Sequence, residues 1–366
     1  MKGYQLALRR IFWSQRPIAL FWLLVAILGM TLVWLAVFDF TSSNSVWSVA
    51  TEEDGTVVAL GMDDGVQLLS INAPDVVVKK AYIALGNRVN SMLLKDHILY
   101  VAAGNMVHTV DVFDLDRPQR TDYWSAGDAQ ISKILVQGCH AFVLHPKDIG
   151  DVNLCSTVTK PVIKTADRIL DFAVSGDVLY FVAGDGYELG SVNLLSGNVS
   201  WFHVGEKGKG SRFFAIAADP NKNVLYATSI QMPVVRGNHY TRLHAWSLFD
   251  QQQPRPIEEG SAIVGPCCTG RIEVRESKLY IADPFGSADV FDVSAVAEQG
   301  LRSMKHLNWG GLSSTGVDDI HPLIQFVPFQ DGTLGLGAGG RDGLLIAKPK
   351  PTSTGSGLFD RTLYRP

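Results

Sequence analysis

The sequence predicts an all-β fold made of repeated four-stranded sheets, and three observations predict it. First, "LYVAAGNMVHTVDVFDL", from Leu99 to Leu115, reads as strand, tight corner, strand, with looser copies starting at Leu179, Leu225 and Leu279. Second, the apolar second strand of the unit recurs near Val58, Tyr100, Phe142, Tyr180, Tyr226, Tyr280 and Leu334, at spacings of about 42, 42, 38, 46, 54 and 54 residues. A propeller blade needs about 40 to 45. Third, Gly and Asp punctuate the corners, while helical periodicity is nearly absent beyond the first forty residues. Each sheet alone would expose two apolar faces, so closure into a ring buries them and removes free edges. The predicted fold class is a seven-bladed β-propeller preceded by a single transmembrane helix.

The elements follow in order. Residues 1–16 form a basic N-terminus, with Lys2, Arg9, Arg10 and Arg16. Residues 17–38, "PIALFWLLVAILGMTLVWLAVF", contain no charged side chain. At 1.5 Å per residue a helix of this length spans about 33 Å, enough for a bilayer core. The exit "VFDFTSSN" is a poor cleavage site, so the segment reads as a retained signal anchor. Trp22 and Trp34 lie inside the apolar stretch and are candidates to face a membrane partner. The next basic residue is Lys79, so the positive-inside rule places the N-terminus in the cytoplasm and exports the rest. The expected location is a bacterial inner membrane, with the propeller in the periplasm.

Residues 39–44 are a linker and 45–350 the propeller. Strands before each marker ("VNSMLLKD", "ISKILVQG", "ILDFAVSG", "FFAIAAD", "RIEVRES", "PLIQFVPF") supply the first position of each blade. Those after it ("VQLLSINA", "VHTVDVFDL", "LGSVNLLSG", "RLHAWSLFD", "ADVFDVS", "GLLIAKP") supply the third. Residues 351–366 are a tail or closing strand. Between roughly Ser45 and Pro349 the chain resembles the bacterial seven-bladed propellers built from "LYVA…VIDV"-type repeats (LVIVD/YVTN-like). Blade four, "LYFVAGDGYELGSVNLLSGNVSWFHVG", also resembles a quinoprotein-type repeat. The resemblance implies architecture; propellers host binding modules, lactonases, dehydrogenases and scaffolds alike.

Charge and motifs narrow the function. Of 32 Lys and Arg, 28 lie beyond the anchor, against 36 Asp and Glu, a net of −8 for the exported part. No basic face for nucleic acid is indicated. "GLGAGG", with Gly335, Gly337 and Gly340, matches a dinucleotide fingerprint, but the strand-like "RDGLLIAKPKP" follows where that motif needs a helix. No H-E-x-x-H, C-x-x-C-H or G-x-S-x-G occurs. A lactonase-type metal site needs acids on the innermost strands, which offer Asp171 and Glu273. The vicinal pair Cys267–Cys268 is a feature that quinoprotein dehydrogenases can use, but the acidic ligands of those enzymes are not matched. No cofactor and no metal are expected.

Cys139 and Cys155 flank "HPKDIGD", with their midpoint at Lys147. In a symmetric antiparallel hairpin they face each other within disulfide range, and export favours the bond.

The expectation is a non-enzymatic protein-binding or scaffold module, bound to an integral membrane protein or membrane-associated complex. The alternative is a ligand- or cofactor-binding propeller enzyme using the central channel. The longest loops fall on the face where the first strand of each blade begins. Partner contacts are therefore expected at Arg236, His239, Tyr240, Cys267, Cys268, Trp309, Asp318, Asp319 and His321.

Overall fold

The computed structural model describes residues 45–52, 54–73, 76–156, 158–232, 240–250, 253–257, 262–266, 271–275, 277–282, 288–307, 325–328, 334–340, 343–348 and 360–364. The segment 17–38 lies outside them. Among the described residues no helix is long and apolar enough to cross a membrane.

Consecutive strands pair antiparallel into sheets, each built from one stretch of chain. The first holds β1 (Ser48–Thr51), β2 (Val57–Gly61), β3 (Gly65–Ala73) and β4 (Val76–Ala84). The second holds β5 (Val89–Lys95), β6 (Ile98–Ala103), β7 (Met106–Asp111) and β8 (Gln119–Ser125). The third holds β9 (Lys133–Gln137), β10 (His140–Leu144), β11 (Asp148–Asn153) and β12 (Thr159–Lys164). The fourth holds β13 (Asp171–Ser175), β14 (Val178–Ala183), β15 (Glu188–Asn193) and β16 (Val199–Val204). The fifth holds β17 (Gly210–Asp219), β18 (Val224–Met232), β19 (Tyr240–Ser247) and the short β20 (Arg255–Pro256), with β21 (Ala262–Pro266) also on β19.

In the sixth, β22 (Arg271–Arg275), β23 (Lys278–Ala282) and β24 (Ala288–Asp292) are followed by a one-turn helix, α1 (Val296–Gln299), before β25 (Lys305–Leu307). The sequence gives no sign of that helix. A last sheet, β26 (Gln325–Pro328), β27 (Leu334–Gly340), β28 (Gly343–Lys348) and β29 (Asp360–Tyr364), is described by backbone and register alone. "GLGAGG" lies within β27, so no helix N-terminus follows it to receive a pyrophosphate. The described residues form an all-β propeller with almost no helix among them.

The repeated Leu-Tyr pair explains itself in the packing. Second strands are sandwiched between neighbouring sheets, so both their faces must be apolar. Leu99 packs with the first sheet, Leu179 with the third, Leu225 with the fourth and Leu279 with the fifth. The next residue faces the other way: Tyr180 joins the fifth sheet's core and Tyr226 the sixth's. Each side chain of the pair is thus committed to a different inter-blade core, and these cores hold the sheets together through buried apolar area.

The first strands line the centre and are latched sideways. Ser48 Oγ donates to the Val89 carbonyl (3.2 Å), Asn90 Nδ2 to that of Ile131 (2.8 Å), and Ile134 N–H to Ser91 Oγ (3.2 Å). Polar groups at the centre thereby bond the next blade.

At the opposite strand ends the backbone repeats one arrangement. The N–H of Val112 donates to the His97 carbonyl, and likewise Leu154 to Cys139, Leu194 to Asp177, Leu248 to Asn223 and Val293 to Ser277. The third-to-fourth-strand loop is thereby pinned to the first-to-second-strand corner. Those corners are tight enough to need left-handed backbone, seen at His97 (φ 60°), Asn223 (φ 52°) and Ser277 (φ 60°), or a glycine such as Gly176 (φ 56°).

Candidate functional site

At the centre, first strands wall a cavity of about 250 Å³ whose lining includes Lys133, Phe172, Ile216 and Glu273. Its main buried charges are paired. Lys133 Nζ lies 2.6 Å from Asp171 Oδ1 and donates to the Phe172 carbonyl at 2.7 Å. Asp171 also accepts from the backbone N–H groups of Phe172 and Ile216, both at 2.9 Å. One carboxylate therefore joins the third, fourth and fifth sheets. Asp171, considered from sequence as a metal ligand, is a tie between blades. Among the described residues no group of three His, Cys, Asp or Glu is disposed to hold a metal ion.

A larger groove of about 870 Å³ opens between the third and fourth sheets, at the corner ends of their strands. Its polar centre is Asp151, buried on β11. His140 Nδ1 lies 2.9 and 3.0 Å from the two Asp151 oxygens, and Lys160 Nζ is 3.6 Å from Oδ2. The Nδ1–H of His140 donates to the carboxylate, and the half-exposed ring lines the groove. Phe142 stacks on His140, and Pro161, Val162, Leu194 and Leu195 supply the apolar wall. The equivalent of Asp151 is Thr109 in the second sheet and Ser191 in the fourth, given the register of the third strands. This sheet alone among the three places an acid there.

Cys139 and Cys155 are joined by a disulfide with Cα atoms 5.4 Å apart, at the rim of this groove. The expected register is off by one. His140 opposes Asn153, so Leu154, not Cys155, is the residue across from Cys139. The two cysteines lie outside the strands and meet diagonally, because an Asx turn from Asn153 Oδ1 to the Cys155 N–H (2.9 Å) curls the loop back.

Three further histidines are wholly or partly buried. Burial pushes His108 down to about 4, with Arg120 adding to the effect. His244 is also pushed to about 4 by burial, then by His203 and Arg242; it bonds Ser229 Oγ at 2.7 Å. His203 and His244 both pack edge-on against Phe213 at 5.1 Å. These are neutral core groups.

Of the expected partner contacts, Tyr240 is described: it opens β19 and is exposed, opposite Pro266. Arg236, His239, Cys267, Cys268, Trp309, Asp318, Asp319 and His321 lie outside the described residues, as do Trp22 and Trp34. On the same face, Trp47 Nε1 donates to Asp63 (2.6 Å), and the Arg88 guanidinium stacks 3.3 Å from the Trp47 ring centroid. Sequence reasoning missed the His140–Asp151–Lys160 group. The signal lay in aligning third strands and asking which blade breaks the hydroxyl pattern.

No family model matches the chain, and no curated protein matches it. Among solved structures it is similar to the hydrazine synthase of Kuenenia stuttgartiensis, with TM-score 0.54 and 14% identity over 70% of this chain and 79% of that one. It is also similar to KlHsv2 with loop 6CD replaced by a Gly-Ser linker, with TM-score 0.55 and 10% identity over 88% and 98%. At such identities the likeness carries the fold alone, and the class it defines is the β-propeller.

Proposed function

We propose that the chain is a membrane-tethered, extracytoplasmic propeller of seven blades serving as a non-enzymatic binding or scaffold subunit of a membrane-associated assembly. The ring order is that of the first strands: β1 packs beside β5, β5 beside β9, and so on to β22, with β26 beside β1. The observation that carries the scaffold reading is the use of the channel's buried charges: Lys133 and Asp171 are committed to holding blades together. The loops around Arg236–Tyr240, Cys267–Cys268 and Trp309–His321 then form a partner surface on the face where β1 begins.

The test is purification of the full chain from gently solubilised membranes. Stoichiometric co-purifying subunits support the reading; a monodisperse lone chain rejects it. Mass spectrometry should find residues before Asp39 still attached, and a mature N-terminus near Thr41 would remove the tether.

A second reading, a ligand-binding propeller, is favoured by the groove containing His140, Asp151 and Lys160. Its site would be this inter-blade groove instead of the channel.

A further inference from the structure

The outer strand of each sheet has one edge whose backbone N–H and C=O groups find no strand within that sheet. Such an edge is a template for pairing, and folded proteins blunt it with charge, proline or a bulge. Outer strands here carry charge or proline almost throughout: "VVVKKAYIA" (β4), "QRTDYWS" (β8), "TKPVIK" (β12), "RP" (β20), "AIVGP" (β21), "KHL" (β25) and "DRTLY" (β29). The exception is β16, "VSWFHV", which has no proline and no acid, lysine or arginine. A bulge recurs between the third and outer strands of the first five sheets, so it does not set β16 apart.

The uncharged edge is also apolar. Val199 pairs with Val192 and Trp201 with Gly190, so both project from one face of the sheet, with Ser200 between them on the other. They are 43% and 44% exposed, and the Trp201 ring is propped edge-on by Phe181 at 5.2 Å. Phe202 and His203 turn back into the fold, towards Trp246 (5.8 Å) and Phe213 (5.1 Å). Burial lowers the pKa of His203, which keeps the strand neutral.

What satisfies a bare strand edge is another extended backbone, and the strand always at hand is β16 of a second copy. A two-fold axis perpendicular to the sheet at Ser200 sets two such strands antiparallel. Val199, Ser200 and Trp201 precede the bulge and alternate regularly, so in this register Ser200 opposes Ser200 and each Val199 opposes a Trp201. Aromatic against β-branched is a stabilising cross-strand pair, and no like charges are opposed along the two strands. Charge on β12 and β20, the flanking outer strands, confines the contact to this blade. One open edge per chain closes at two copies and leaves no template for further growth.

We infer that the protein is a two-fold dimer joined through β16, with one sheet continuous across two propellers. This goes beyond the scaffold reading above, which uses the loops at the face where β1 begins.

The experiment uses the full chain in native membranes. Ser200→Cys is oxidised with copper phenanthroline; directly opposed strand residues have Cβ atoms about 4.5–5.5 Å apart, close enough to cross-link. The expected product is a covalent homodimer. The control, Asp122→Cys, occupies the matching place on β8, facing Thr109 as Ser200 faces Ser191, and should give none. Native mass spectrometry of the gently solubilised parent should count two copies of the chain per particle. Val199→Lys gives β16 the charge its neighbours carry, and should raise the dimer dissociation constant at least about tenfold while melting as the parent does. One copy per particle, a dimer undiminished by Val199→Lys, or equal cross-linking from both cysteines overturns the inference. If Val199→Lys fails to fold, the cysteine pair decides alone. A Ser200→Cys adduct with a different protein in place of the homodimer overturns it in favour of a heterologous strand. The scaffold reading is judged separately, by whether other subunits co-purify.

Discussion

Leu154 donates its backbone N–H to the Cys139 carbonyl at 2.7 Å, so the corner that the disulfide staples is already closed by the bond made in four other blades. The disulfide is therefore a second link across one junction. Its contribution acts on the unfolded chain, where it closes a loop of separation 16. Replacing both cysteines by Ser should lower unfolding free energy by roughly 3 kcal/mol, measured by urea denaturation. The His140–Asp151 contact should persist, and its loss would show that the backbone bond alone does not hold the corner.

Lys133→Met should destabilise the propeller by about 3 kcal/mol, because it leaves the largely buried Asp171 charge with only backbone donors. A melting temperature equal to the parent's would mean that the channel tie is dispensable. Partner retention at temperatures below the transition should be unaffected.

Stability should fall in acid through the buried histidines. His108 and His244 stay neutral when folded, at about 4, but recover their ordinary value near 6.5 when unfolded. The unfolded chain therefore binds more protons, and stability present above 6.5 is lost as the pH falls from there towards 4. Full expression of these shifts would be worth roughly 3 kcal/mol per histidine. Denaturation at pH 7, 5.5 and 4.5 should show the decline. His108→Leu, which removes one titration, should flatten it.

Gly190→Val should cost about 2 kcal/mol by overpacking. A Cβ at Gly190 would lie 2.5 Å from Phe181 Cζ, on a ring held edge-on by Trp201 at 5.2 Å. Near-normal stability would mean that this pair repacks freely.

The propeller was legible because the Leu-Tyr pairs are buried on both sides, fully in three of the four and with Tyr100 partly exposed, which leaves a strong apolar signature at these second strands. Tyr180, Tyr226 and Tyr280 are all at or below 1% exposure. The helix at Val296–Gln299 left no such trace, since four residues make no periodicity. Cys139 and Cys155 were paired correctly by reach but placed one residue out of register, because a hairpin's symmetry centre does not foresee the Asx turn at Asn153. The buried acid Asp151 breaks the hydroxyl pattern of the aligned third strands, but that it faces a groove follows only from the folded register.

The turn at the end of each third strand separates two duties within consecutive residues. Val112, Leu248 and Val293 are each 1% exposed and tied by their backbone, whereas the residues that follow, Phe113, Phe249 and Ser294, are exposed. Outside the third sheet, where that next position is the disulfide-bonded Cys155, mutations there should cost little in folding, and the same turn is supplied several times over around one rim. A lineage carrying such a ring can rewrite what it recognises one blade at a time, by point changes at sites where selection for stability is almost silent.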